Sequence, residues 1–490
     1  MPSRSRDVRG SLLAATLALS LVMPGAGCTE EWTKGARLNW ETGEGKSYLI
    51  PALEVGGFLV GLNAFNRAFI DSDTYGSDGH TIWRNLRTAP VFDTDPFGVN
   101  QIGHPYQGSF YSGFARSAGL SYWESLGYSL LGSFLWETAG ETSKPSINDY
   151  VTTTIGGSFV GEALFRMSSL LLEGGGEVPG FWRELGAAFL SPPTAFNRLV
   201  FGDRFKAVFP SRNPEIFIRL RLGVTLSTES ANAGLSPRVH QQEGSLDYHM
   251  IYGLPGKPGY QYKRPFDFFL FEFTAVPNVS SAVNAIENFT VRGLLAGAKY
   301  ELGDDFRGVW GIFGGYEYLS PRIFRVATTN AALGTVAQWW LTPTIALQGT
   351  ALLGVGFGAS GTVGDSAERD YRYGVIPEPL LGLRLILGER AMLEAQGRQY
   401  WIVGLGTGAS ANADRFGHEM INRGTVGLTV RLFGPHALSL HYVVSTREGR
   451  VAGGGGERNQ SVETITLSYN FLGHTRFGAV EWRPAATGGR

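Results

Sequence analysis

A single cysteine, Cys28, stands in the 490 residues of this chain, so no disulfide framework holds it together even in an oxidising compartment. An excess of charge of either sign is missing too. Lys and Arg number 42 against 43 Asp and Glu, a formal net charge of −1, which excludes the basic footprint of a nucleic-acid binder. No stretch of about 20 residues is free of polar groups, so no helix stands out as a bilayer span. Two catalytic loops are absent. There is no Gly-x-Ser-x-Gly elbow, and no Lys-Ser/Thr follows the glycines at 156, 157 and 161, so they read as helix-packing residues and not as a phosphate loop.

Glycine and aromatics are abundant. The 68 glycines are about twice the usual share, and they accompany 11 Trp and 19 Tyr. Glycine for tight turns and strand bends, with Trp and Tyr for interfacial girdles, suits a membrane barrel. Mean hydropathy near zero is compatible with one, because half of each strand is polar.

Alternation between residues 215 and 472 carries the fold. In the last strand Ile465, Leu467, Tyr469 and Phe471 fall on one face, and Thr464, Thr466, Ser468 and Asn470 on the other. The strand before it sets Leu438, Leu440, Tyr442 and Val444 against Ser439, His441 and Ser445. About twelve such strands can be placed, an even number as bacterial barrels require. Short connections at 303–305, 342–343, 388–389 and 434–436 take turns with long ones at 358–370, 404–418 and 448–458. That order predicts an antiparallel outer-membrane β-barrel with both ends on the short-turn, periplasmic side. A soluble sandwich would alternate as well but would not need this order of loops. The pairs Trp339-Trp340 and Tyr400-Trp401 at strand ends favour the barrel further.

The N-terminus has Arg4, Arg6 and Arg9, an apolar run from Leu12 to Met23, and then Gly25-Ala26-Gly27-Cys28. These are the regions of a signal peptide, 1–28. Cys28 at its end fits a lipoprotein signal in which that residue is acylated, although Gly25 stands where an aliphatic residue is usual. Residues 29–47 read as a tether and 473–490 as a C-terminal tail. Between them, residues 48–205 show helical spacing and form a periplasmic helical domain, so the fold class is α+β. Helices are expected over 48–69, 121–140, 146–172 and 180–190, the last stopped by Pro192-Pro193. Residues 71–104 are turn-rich.

The densest group of chemistry-bearing residues lies in that domain. It includes Asn100-Gln101-Ile102-Gly103-His104-Pro105-Tyr106, Trp136-Glu137 and Pro145-Ser146-Ile147-Asn148-Asp149. On these segments, residues of about 83–205 resemble the uncharacterised bacterial domain of unknown function family 3943. The resemblance implies no activity, because the family has none to carry over.

Glu137 and Glu141 share a helix face, Asp149 lies in the first turn of the next helix, and Glu162 and Arg166 form an i,i+4 pair. A hairpin of the two helices brings Glu137, Glu141, Asn148 and Asp149 to its tip, with His104 and Arg116 approaching from the preceding segment. Two readings stay open. His104, Glu137, Glu141 and Asp149 are candidate catalytic or metal-binding groups of an envelope hydrolase or metal enzyme. Alternatively Arg116, Asn148, Asp149, Glu162 and Arg166 belong to a buried polar network, in which Arg116 neutralises Glu137 or Glu141 and His104 bonds a backbone carbonyl. In the barrel, Arg219, Arg221, Arg292, Arg384, Arg398 and Arg431 lie opposite the apolar rows and are expected to face the lumen. They would either select anionic or polar solutes or pair with Glu272 and Glu394 to fill it. The expected partners are outer-membrane lipid and a periplasmic protein, with no nucleic acid, no cofactor and no assigned metal. A non-enzymatic envelope role, either polar-solute passage or scaffolding, is the leading expectation.

Overall fold

The computed structural model describes residues 36–93, 95–176, 178–231, 238–277, 285–363, 368–407, 417–451 and 457–482. The signal region and Cys28 lie outside the described residues. Two compact units divide the chain between Ser211 and Arg212.

The first unit is helical: α1 (Leu49–Phe69), α2 (Gly79–Arg87), α3 (His104–Ser117), α4 (Tyr122–Leu135), α5 (Ile147–Val151), α6 (Gly157–Glu173), α7 (Phe181–Leu190) and α8 (Pro192–Val200). Three five-residue π-helical segments adjoin these helices: Val99–Gly103 before α3, Trp136–Gly140 after α4, and Thr152–Gly156 between α5 and α6. Ser121 caps α4 with the reciprocal bonds to Glu124 that its spacing suggests. Within the turn-rich stretch, Asp78 and Thr81 make the same box and start α2. The proline pair does not merely stop α7. It opens α8, where proline in the first turn loses no hydrogen bond.

Helix α3 is the centre of the unit and is buried almost throughout. It meets α6 through glycine. A Cβ on Gly157 would lie 2.6 Å from the Cα of Gly108, and one on Gly161 would strike the Ser112 hydroxyl. Residues 36–47, expected within a tether, instead pack on the unit. The Leu38 amide donates to the Arg204 carbonyl, and the Trp40 ring lies edge-on to Phe209 at 5.0 Å. By length and composition α1 and the continuous run Ile147–Glu173 would suffice to cross a membrane, but most of the latter is buried as core.

The second unit is a closed antiparallel barrel in which β1 to β12 follow one another around the ring and β1 pairs with β12. The strands are β1 (Ile216–Ala231), β2 (Arg238–Tyr252), β3 (Phe269–Ala275), β4 (Ile286–Leu302), β5 (Phe306–Leu319), β6 (Phe324–Trp340), β7 (Ile345–Thr362), β8 (Tyr371–Leu387), β9 (Ala391–Thr407), β10 (Gly417–Phe433), β11 (His436–Val451) and β12 (Glu457–Leu472). Most exceed the roughly 9–11 residues that a tilted strand needs to cross a bilayer. The extra length comes from segments that looked like loops: β7, β9 and β11 run well into 358–370, 404–418 and 448–458.

The outer surface is apolar and the inside polar. On β12, Ile465, Leu467, Tyr469 and Phe471 are exposed, while Ser468 and Asn470 are buried. With no water to serve an open edge, a closed ring with this polarity is the sheet arrangement that spans a membrane. The aromatic pairs split between the faces. Trp339 and Trp401 point outward, whereas Trp340 and Tyr400 are buried inside. Gly303, Gly388 and Gly434 adopt positive φ in the short turns, where an L side chain would be strained.

One connection at the short-turn end is long. Residues 253–268 fold inward, with Leu254 and Phe268 buried. Residues 473–482, expected as part of a tail, do the same. Phe477, Val480 and Trp482 join a hydrophobic cluster built from the short-turn ends of the strands, including Phe217, Trp340 and Leu472. Gln338 and Trp340 both donate to the Val480 carbonyl, and Gln348 donates to that of Gly478. A second apolar cluster, with Leu319, Val326, Tyr400, Ile421 and Val462, fills the interior near the opposite end.

Candidate functional site

The helical unit holds two separate buried polar groups. In one, the Arg116 Nε lies 2.5 Å from Glu162, and Arg166, one turn along α6, lies 2.7 Å from the other oxygen of the same carboxylate. The Arg116 guanidinium also sits 4.6 Å over the Phe165 ring and donates to the Leu120 carbonyl. Arg116 is therefore committed to Glu162 and does not neutralise Glu137 or Glu141 as expected. A guanidinium has one planar fork, and α6 rather than the hairpin tip supplies the carboxylate that fits it.

The other group surrounds the start of α5. Ser146 caps this helix by accepting from the Asp149 amide. Its own amide donates to Glu137 at 2.8 Å. Asn148 donates to Asp149 at 2.8 Å and accepts from the Asp93 amide at 2.9 Å. Glu141 accepts from the Trp136 indole at 2.8 Å and from Ser143 at 3.0 Å. His104 Nε2 stands 3.6 Å from Asp149, too far for a good hydrogen bond. Its Nδ1 is buried without a hydrogen-bond partner among the described residues, so the expected bond to a backbone carbonyl is not made.

Among the described residues these carboxylates have other acids for neighbours and no ion-paired guanidinium, and their affinity for protons is raised accordingly. Burial, with Asp149 and Glu141 nearby, keeps the Glu137 carboxyl well above its usual range. Burial and then Asp95 push Glu141 up to about 7. Burial and then Asp93 raise Asp149 well above the usual range. Among the described residues no three His, Cys, Asp or Glu side chains converge as metal ligands. What the geometry provides is a hydrogen-bonded, cap-forming network, and no contact in it supports the enzyme reading.

The barrel interior holds the denser array. Arg398 on β9 lies 2.6 Å from Glu272 on β3 and 3.3 Å from Glu317 on β5, and Glu317 also accepts from Arg292. Arg219 on β1 meets Glu394 on β9 at 2.9 Å. Arg221 meets Asp247 at 2.7 Å and bonds His441 Nε2 at 2.7 Å. Arg423 on β10 reaches Glu287 on β4 at 3.3 Å. Nearer the long-loop end, Arg447 and Ser360 both bind Glu419. Arg431 points to the short-turn end, where it donates to the His474 carbonyl at 3.3 Å. Arg384 has a different set of partners: Gln348 Oε1 at 2.9 Å, the Phe477 carbonyl at 2.9 Å, and the face of the Phe217 ring at 4.5 Å. Between these groups lies a cavity of about 190 Å³, bounded toward the short turns by Leu254, Phe268 and Phe313. Ser439 bonds Ser468 rather than His441, so no serine–histidine pair is formed there.

Residues 89–193 match the family model described as Domain of unknown function (DUF3943). The match lies within the 83–205 of the sequence resemblance and covers the whole α5 network together with Arg116, Glu162 and Arg166. No curated protein matches the chain. Among solved structures, similar chains include the NanC porin (8% identity, TM-score 0.23, covering 50% of this chain and 98% of that one). Others are an anion-selective porin from Comamonas acidovorans (10%, 0.23, 52% and 99%) and the toluene transporter TodX of Pseudomonas putida (10%, 0.20, 54% and 90%). The barrel assignment rests on this chain's own strand ladders and on the polarity of its two faces, not on these likenesses.

In the helical unit, sequence reasoning found most of the polar residues but assigned Arg116 the wrong partner. In the barrel it named six arginines and two of their glutamates. It missed Asp247, His249, Glu317, Arg423, Glu419 and Arg447. All six could have been found by extending the period-two pattern along each strand, because each lies in phase with inward-facing neighbours.

Proposed function

We propose that this protein is a non-enzymatic outer-membrane protein whose barrel is a closed anchor, and that its helical unit is held in the periplasm for a partner protein. The observation that carries this reading is the filled lumen. Ion pairs cross it, and apolar clusters occupy it toward both ends. Chain topology supports the orientation: β1 begins and β12 ends at the short-turn end, which is periplasmic in outer-membrane barrels. A signal over 1–28 and acylation at Cys28 fit the same compartment. The helical unit also exposes Trp123, Leu130, Leu131 and Phe134 on α4. Contiguous exposed apolar side chains of this kind mark contact surfaces.

A photo-crosslinker placed at Trp123 or Phe134 in intact envelopes tests the partner. Adducts with a discrete periplasmic protein are expected. Adducts with lipid alone would reject the scaffolding role.

A second reading, gated passage of a polar solute, is favoured by one feature. The closure at the short-turn end is partly built from the chain's own C-terminal segment around a charged cavity.

A further inference from the structure

The central cavity of the barrel is built with more donors than its own acceptors use. Six guanidinium groups line it against five carboxylates, four in its wall and Glu317 paired with Arg292 and Arg398. Five of those arginines are ion-paired. The sixth, Arg384, has no carboxylate partner among the described residues and is held by neutral groups alone: Gln348, the Phe477 carbonyl and the Met392 sulfur. Several N–H groups around the cavity are buried with no acceptor among the described residues. They are the Nε atoms of Arg219, Arg384 and Arg398.

The Arg384 guanidinium lies 4.5 Å over the Phe217 ring, and Arg219, two residues beyond Phe217 on β1, lines the same cavity. A buried donor without an acceptor is unfavourable, and an excess of buried guanidinium is more so. Both deficits are relieved by one kind of guest, an anion with several acceptor oxygens. A cavity of about 190 Å³ has room for several waters, or for one tetrahedral oxyanion or short carboxylate with fewer waters.

We infer that the barrel cavity is a binding site for a small oxyanion of the phosphate, sulfate or short-carboxylate class, centred on Arg384 with Arg219. This goes beyond the scaffolding proposal and does not depend on it, because a closed barrel can hold an anion permanently. Guanidinium donates in a planar fork that matches two oxygens of such an anion, and the neutral partners of Arg384 leave its charge available.

The test is equilibrium dialysis of labelled inorganic phosphate against the full chain refolded in its presence, so that slow entry into a closed barrel does not limit occupancy. Saturable binding is expected, displaced by sulfate and succinate and not by tetramethylammonium. Arg384→Met should weaken it by about tenfold or more, the value of hydrogen bonds to a charged group. Glu394→Gln, which frees Arg219, should tighten it several-fold and serves as the second arm if Arg384→Met does not refold. Absence of saturable phosphate binding by refolded wild type, or equal binding by wild type and Glu394→Gln, would overturn the assignment.

Discussion

The guanidinium of Arg398 on β9 reaches Glu272 on β3, 2.6 Å away, and those strands stand diametrically opposite in the twelve-strand ring. Arg423 on β10 and Glu287 on β4 span the neighbouring diameter at 3.3 Å. Such pairs tie together walls that backbone hydrogen bonds cannot connect, and they occupy the path that a solute would take. Removing one partner strands the other as a buried charge.

Arg398→Met should therefore destabilise the refolded barrel by about 3–5 kcal/mol, because Glu272 loses its arginine and Glu317 keeps only Arg292. Urea unfolding in lipid vesicles measures it. A loss within about 0.5 kcal/mol, typical of an uninvolved surface position, would show that the pair is solvated and the lumen wet.

Phe477 separates a structural closure from a tail. Its ring is fully buried in the cluster at the short-turn end, so Phe477→Ala should cost the barrel about 3–5 kcal/mol. The same urea measurement applies. Unchanged stability would place residues 473–482 outside the folded unit.

In the helical unit, two glycines make opposite predictions. Gly157→Ala puts a methyl group 2.6 Å from the Gly108 backbone and should destabilise by about 1–3 kcal/mol through forced separation of α3 and α6. Gly127 on α4 has nothing within 4 Å of an added Cβ. Gly127→Ala should stabilise by about 0.4–1 kcal/mol. Thermal unfolding of the two variants should move in opposite directions.

Stability of the helical unit should also fall as pH rises through the acid range to neutrality. Glu137, Glu141 and Asp149 all have carboxyls raised above their usual values, Glu141 to about 7. A carboxyl whose proton is held more tightly when folded gives a contribution that is complete below its unfolded pKa. That contribution is lost as pH rises through the folded value. For Glu141 the window runs from its ordinary value of 4.5 to about 7. Unfolding midpoints at pH 4.5, 6 and 8 should decline in that order, and Glu141→Gln should flatten the decline. A midpoint that rises across the window would contradict the sign.

The barrel was legible because a membrane wall imposes a strict period of two. Ile465 to Phe471 must be apolar on alternate positions, whatever the lumen does. The extensions of β7, β9 and β11 at the long-loop end escaped notice because a strand that does not face lipid needs no apolar face. Gly449, for example, still pairs with Glu419 in a stretch of loop-like composition. The two inward-folded segments were hidden for a different reason. Phe266-Asp267-Phe268 looks like strand, but Phe266 turns to positive φ and Phe268 is buried in the interior cluster. Phe477, Val480 and Trp482 are too few and too spaced to show a period. Their burial depends on a lumen that forms only when distant strands close. In the helical unit, capping boxes at Asp78 and Ser121 are local and readable. The choice of Glu162 by Arg116 is set by how α3 crosses α6, which no local spacing records.

Planar-bilayer recording of the purified full chain tests the closed barrel most directly. With ion pairs across the lumen and apolar clusters toward both ends, the protein should insert and show no sustained current at low voltage. A steady, ohmic single-channel conductance would contradict the account and return the barrel to the class of open pores.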